Sequence, residues 1–191
     1  MHYCTNISSS LIKKWRASKY KAVSLFIVVW ASVLLGSILY LSNLRVGLFD
    51  PNNQLTLLSA QASFEREFVK KLQSAGIDTR NTTLHFAADK RCYCQTVAKP
   101  HIDSVKQLAT EQGFINSQLT VRSDSALISY IPSTPAVAVF NQQGLLVYLG
   151  PYATGLFCAP QQGIFENYIS SEQAYLGATI ISDAKGCYCH S

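Results

Sequence analysis

The chain has 191 residues, with 16 Lys+Arg, 11 Asp+Glu and a formal charge of +5, but the positive excess sits at one end. Lys13, Lys14, Arg16, Lys19, Lys21 and Arg45 precede residue 46 with no acidic residue among them; beyond it, ten basic residues face eleven acidic ones. That distribution excludes reading the high isoelectric point as a nucleic-acid-binding surface.

In chain order, residues 1–21 read as a basic tail and Ala22 to Leu44 as a 23-residue apolar run without a charged side chain. As a helix rising about 1.5 Å per residue, that run spans a hydrocarbon core of about 30 Å. Trp30 lies at mid-span, and Tyr20 and Tyr40 lie near its two ends. The basic residues ahead of it favour a cytoplasmic N-terminus, so the rest of the chain is expected outside the inner (plasma) membrane, in the periplasm or extracellular space. A cleaved signal peptide is the rival reading; its apolar core is usually about 7–15 residues long, and no clear Ala-x-Ala site follows here. The expected organisation is a basic tail over 1–21, a single-pass anchor over 22–44, a linker over 45–59 and one domain over 60–191. A domain facing outward can keep disulfides. Cys4, in the tail, reads as an inert cytoplasmic thiol.

Phe64, Phe68, Val69, Leu72 and Ala75 recur at helical spacing and predict a helix from Ala60 to Ala75, stopped by Gly76. A buried strand is predicted over Thr82–Ala88. Cys94 to Gln112 predicts a helix with Val97, Ile102, Val105, Leu108 and Ala109 inward, kinked at Pro100 and ended by Gly113. His101 falls off that apolar face and reads as a solvated histidine, whereas His85 reads as a satisfied core residue. Leu119–Arg122 predicts a short strand. Pro135 to Phe140 and Leu145 to Leu149 flank Asn141-Gln-Gln-Gly144 and predict a hairpin. A helix over Pro160 to Ser171 and a strand within Ala174–Ser182 complete the order. Strands alternating with helices, followed by a hairpin and a helix, predict an α/β fold with a mixed central sheet flanked by helices.

Chemistry concentrates in the cysteines. Cys92-Tyr93-Cys94 sits where the predicted strand gives way to the predicted helix, and Cys187-Tyr188-Cys189 repeats the triplet near residue 191. Thiols at a helix N-terminus gain thiolate character, so redox chemistry is the leading reading. Lys90 and Arg91 act in the same direction on Cys92, and Asp89 opposes them. No phosphate-binding loop, dinucleotide fingerprint, zinc-protease motif or hydrolase elbow is present, and the leading reading needs no cofactor or metal.

With Cys92 followed eight residues later by Pro100, and with Thr134-Pro135 opening the run Ala-Val-Ala-Val-Phe140, the region from about 60 to 172 resembles the thioredoxin superfamily. It is also similar to membrane-anchored thioredoxin-like proteins of Gram-negative bacteria. The resemblance implies a thioredoxin-like fold behind one transmembrane helix, with Cys92 as nucleophile and Cys94 as resolving thiol. It further implies that Thr134 and Pro135 present backbone to the extended strand of a thiol or disulfide protein substrate. One departure stands out: Gln95 occupies the usual second-cysteine position, and the second thiol is one place earlier. A Cys92–Cys94 disulfide would close a tighter ring, labile and oxidising, which favours oxidant, isomerase or relay chemistry over reductase chemistry.

For Cys187 and Cys189 three readings stay open: exchange with Cys92 and Cys94, structural pairing with Cys158 to pin the C-terminal segment, or metal binding. The expected function is therefore a membrane-tethered thiol–disulfide oxidoreductase. The alternatives are a soft-metal module, holding copper or zinc through both triplets and His190, or a redox-inactive peptide-binding scaffold.

Overall fold

The computed structural model of the chain describes residues 6–44, 46–122, 125–155, 165–169 and 175–190. Two compact units divide between Leu44 and Arg45. The first is a single helix, α1 (Asn6–Asn43), whose stretch Tyr20–Leu41 is long and apolar enough to cross a membrane. Its 22 residues span about 33 Å at the helical rise, and their side chains are exposed. An apolar helix of this kind serves either as an anchor or as a signal sequence.

The second unit is built on a mixed sheet. Its described elements are β1 (Gly47–Leu48), α2 (Gln54–Ser59), α3 (Phe64–Ser74), β2 (Thr82–Ala88), α4 (Tyr93–Glu111), β3 (Ile115–Val121), β4 (Ser133–Thr134), β5 (Ala136–Phe140), β6 (Leu146–Pro151), a 3-10 turn (Phe165–Tyr168), β7 (Thr179–Ile180), β8 (Lys185–Gly186) and β9 (Cys189–His190). Among the described residues five strands form one sheet in the order β3-β2-β5-β6-β7. β2 runs parallel to β3 through the crossover helix α4; β5 is antiparallel to both β2 and β6, and β7 is parallel to β6.

Alternation along the central strands sorts the core into two halves. Ala136, Ala138 and Phe140 join Leu84, Phe86, Phe64, Phe68 and Leu72 on the α3 side. Val137 and Val139 join Ala98, Ile102, Val105, Ala109 and Tyr152 on the α4 side. Both faces are covered, so β5 is buried at every residue. The predicted hairpin is present, with Gly144 at φ 78° in its turn and the Asn141 side chain accepting backbone N–H groups of Gln143 and Leu145.

Several elements depart from expectation. Residues 45–59, expected as a linker, contain β1 and α2 instead. Gly47 pairs with Gly186, Phe49 is fully buried, and the Phe49 N–H donates to the Ala184 carbonyl. The carboxylate of Asp50, itself buried, accepts the backbone N–H groups of Gln54 and Thr56 and the Thr56 hydroxyl, which anchors the start of α2. A six-residue helix is too short to print a periodicity, and Asp-Pro-Asn-Asn reads locally as a loop. β3 begins four residues before the predicted strand because backbone pairing with β2, not apolar content, defines this edge. The expected helix over Pro160 to Ser171 lies mostly outside the described residues; Phe165–Tyr168 forms a 3-10 turn and Ile169 is buried.

Candidate functional site

Cys92 is the N-cap of α4, in extended conformation (φ −131°, ψ 133°), and Cys94 lies in the first turn behind it. No acidic side chain occupies that turn, so the positive end of the helix acts on both sulfurs, with Asp89 of the cleft opposing it from outside the helix. Cys94 is buried, while Cys92 is half-buried at the mouth of a cleft. The cleft has a volume of about 310 Å³ and is lined by Asp89, Lys90, Arg91, Cys92, Cys189 and His190, with Ala88 and Val121 beneath.

The two triplets meet. Cys92 is bonded to Cys189 and Cys94 to Cys187, with Cα separations of 6.2 and 5.3 Å. Both separations lie within the usual range for a disulfide of about 4.4–6.8 Å. The expected bond between Cys92 and Cys94 is therefore replaced by two bonds between triplets. The reason is geometric. Residues i and i+2 of an extended segment point the same way, so Cys187 and Cys189 present both sulfurs to the start of α4. Cys187 is fully buried. Of the readings left open for Cys187 and Cys189, pairing with Cys158 gives way to pairing with the first triplet, and Cys158 itself lies outside the described residues.

The middle tyrosine points the other way. Tyr188 is buried, meets Phe49 edge-on at 5.3 Å and donates its hydroxyl to the Ala153 carbonyl. Gly186 is required here: a Cβ would lie 2.7 Å from the Tyr188 hydroxyl oxygen. Further backbone bonds fix the segment, with the Cys187 N–H donating to Gly155 O and the Gly155 N–H to Lys185 O. β9 completes the arrangement by pairing with β4, Thr134 opposite Cys189 and Ser133 opposite His190. His190 Nδ1 and the Ser133 hydroxyl are hydrogen-bonded at 2.8 Å. The backbone edge at Thr134, expected to receive a substrate strand, is thus taken by the chain's own C-terminal strand. The Thr134–Pro135 peptide is cis.

The two remaining histidines of the domain lie on the α4 side of the sheet. His101 is not solvated: it is 1% exposed, with Nε2 2.7 Å from Glu166 and its ring against the edge of Tyr152. Glu166 lies 65 residues away in sequence, so helical periodicity alone carried no trace of this partner. His85 is buried as expected. Its Nε2 lies 2.8 Å from Asn116 Oδ1 and its Nδ1 2.5 Å from the Tyr152 hydroxyl, an arrangement that suits a neutral ring protonated at Nε2. Burial lowers the His85 pKa to about 4.

That value sets an acid-stability prediction. The unfolded chain binds the proton at the ordinary value of 6.5, above the folded one, so stability falls as pH drops from about 6.5 to 4 and this group adds no further loss below. The full difference is about 3 kcal/mol. Thermal unfolding at pH 7 and 4.5 is expected to show a larger acid loss for the native chain than for His85→Gln. Equal losses would place the acid sensitivity elsewhere.

Fold and site together define a mixed α/β domain, preceded by an apolar helix of membrane-spanning length, whose four clustered cysteines join the start of a helix to the C-terminal strand. The chain belongs to the family described as a domain of unknown function (DUF6436), whose model matches residues 60–191. No curated protein and no solved structure matches it.

Proposed function

We propose that the protein is a membrane-tethered thiol–disulfide oxidoreductase of thioredoxin-like build, with its domain on the outer side of the inner membrane, and that its two triplets exchange disulfides with each other and with a client protein. The observation that carries this reading is the pairing of Cys92 with Cys189 at an open cleft while Thr134 lies opposite Cys189. This is the arrangement a mixed disulfide with an extended client strand would adopt, here made within one chain. The order β3-β2-β5-β6, with a crossover helix that carries Cys92 at its start, supports the thioredoxin-like reading.

The chemistry follows from position. An incoming client thiolate attacks Cys189 Sγ and bonds to it, releasing Cys92 as a thiolate at the helix N-terminus, where the leaving group is best stabilised. Freed Cys92 then attacks Cys94 Sγ, forming Cys92–Cys94 and releasing Cys187 as a thiolate; a second client thiolate attacks the client sulfur bonded to Cys189, forming the client disulfide and releasing Cys189 as a thiolate. The sulfurs of Cys92, Cys94 and Cys189 all lie within 4.8 Å of one another, within reach of this exchange.

Titration against glutathione, with alkylation mapped by mass, tests the proposal. The bond at the cleft is expected to open first, above about −230 mV, before the buried Cys94–Cys187 bond. Both bonds staying oxidised below about −300 mV would make them structural staples and end the proposal.

A further inference from the structure

We propose that, when both disulfides are reduced, the two triplets form a binding site for one thiophilic d10 cation such as Zn²⁺, held by the thiolates of Cys92, Cys94, Cys187 and Cys189. This goes beyond disulfide exchange and stands whether or not a client protein is turned over.

The cluster exists already as geometry. The sulfurs of Cys92, Cys94 and Cys189 lie within 4.8 Å of one another, and Cys187 contributes the sulfur bonded to Cys94. Four sulfurs around Zn²⁺ at about 2.3 Å sit about 3.8 Å apart, so Cys92, Cys94 and Cys189 already stand near the spacing of a tetrahedral shell, and Cys187, once released from Cys94, is the candidate for the fourth corner. The holding contacts do not depend on the S–S bonds. β8 pairs with β1, β9 pairs with β4, Cys187 N–H donates to Gly155 O, and the Tyr188 ring is buried against Phe49. Reduction therefore leaves the thiols of Cys92, Cys94 and Cys189 grouped, with Cys187 beside Cys94.

Burial and charge suit the ion. Cys94 and Cys187 form a buried floor, and half-buried Cys92 and Cys189 open to the cleft, which supplies an entry path. Four thiolates and one Zn²⁺ leave a net charge of −2, which Lys90 and Arg91 at the cleft offset and Asp89 beside them opposes. The grouped donor atoms are sulfurs, which selects soft ions over Mg²⁺ or Ca²⁺.

Binding and oxidation exclude each other. On binding, four S–H protons pass to solvent and four S–Zn bonds form. On oxidation, two equivalents of a disulfide-class oxidant take four electrons, each equivalent ending as a dithiol; the two cross-links form and the ion is released.

The test uses the full chain in detergent, reduced and then freed of reductant under anaerobic conditions. Zn²⁺ is added, excess is removed, and bound metal is measured with alkylation mapping of all six cysteines. The expected result is one Zn²⁺ per reduced chain, none per oxidised chain, and protection of Cys92, Cys94, Cys187 and Cys189 with Cys4 and Cys158 still modified. Co²⁺ should give the intense thiolate bands of a tetrahedral sulfur site, and Cys189→Ser should lose the bound ion. No Zn²⁺ on the reduced chain, equal Zn²⁺ on oxidised and reduced chains, or protection confined to Cys4 and Cys158 would overturn the proposal. The comparison of redox states and the protection map need no substitution, so they decide even if Cys189→Ser misfolds.

Discussion

Cys92→Ser is expected to cut thiol–disulfide exchange by the full-length chain on the order of 10³-fold, to background. Cys92 is the sulfur placed to act as leaving group and nucleophile: it caps α4, faces the cleft and stands beside Lys90 and Arg91. Serine supplies an N-cap hydroxyl where the Cys92 side chain makes no cap hydrogen bond, so the helix survives while the chemistry does not. Cys187→Ser/Cys189→Ser makes the contrasting case. That variant keeps Cys92 and Cys94, which can then form the tighter bond expected within the triplet. Loosening β9 also opens the backbone edge at Thr134 to a client strand. Its initial rate with a peptide disulfide is expected to equal or exceed that of the native chain. Exchange by Cys92→Ser at the native rate would refute the role of Cys92. Loss of activity in both variants would mean that the two triplets work only as one unit.

Removing all four triplet cysteines is expected to destabilise the domain by about 7 kcal/mol, and removing either disulfide alone by only about 2 kcal/mol. The two cross-links join residues separated by 97 and 93 positions. Closing a loop of about 100 residues restricts the unfolded chain by about 4.7 kcal/mol in the chain-entropy account. Once one bond has closed it, the second closes only the short ring of residues between the two, about six in all, worth about 2 kcal/mol. The bonds are thus redundant singly and large jointly. The buried pair should rank above the cleft pair, because Cys94→Ala/Cys187→Ala also leaves space in the packed interior. Thermal and denaturant unfolding of Cys92→Ala/Cys189→Ala, Cys94→Ala/Cys187→Ala and the fourfold variant check this. Losses near 4–5 kcal/mol for each pair separately, and additive, would contradict the shared-loop account.

Local chemistry made much of this protein readable. The apolar run announced a helix of spanning length because no charged residue interrupts it. Thr82–Ala88 and the hairpin around Gly144 were legible because period-two apolar strands and a turn glycine are local signals. The start of α4 at Cys92 was legible for the same reason: a strand-like run changes there to helical spacing.

What tertiary structure decided is partnership. Two Cys-Tyr-Cys triplets can pair within themselves, with Cys158 or with each other, and no local feature chooses among these. The choice comes from β8 joining β1 and β9 joining β4, which bring residues more than 90 positions apart to one helix end. The same contacts turned residues 45–59 from linker into core, since Phe49 is buried only because Ala184 and Tyr188 return to cover it. His101 follows the same logic: its own helix marks it as off the apolar face, and Glu166 and Tyr152, from distant segments, bury it. Periodicity reports which way a side chain points along its own element, whereas pairing depends on which distant backbone arrives beside it, and that is settled only when the chain closes on itself.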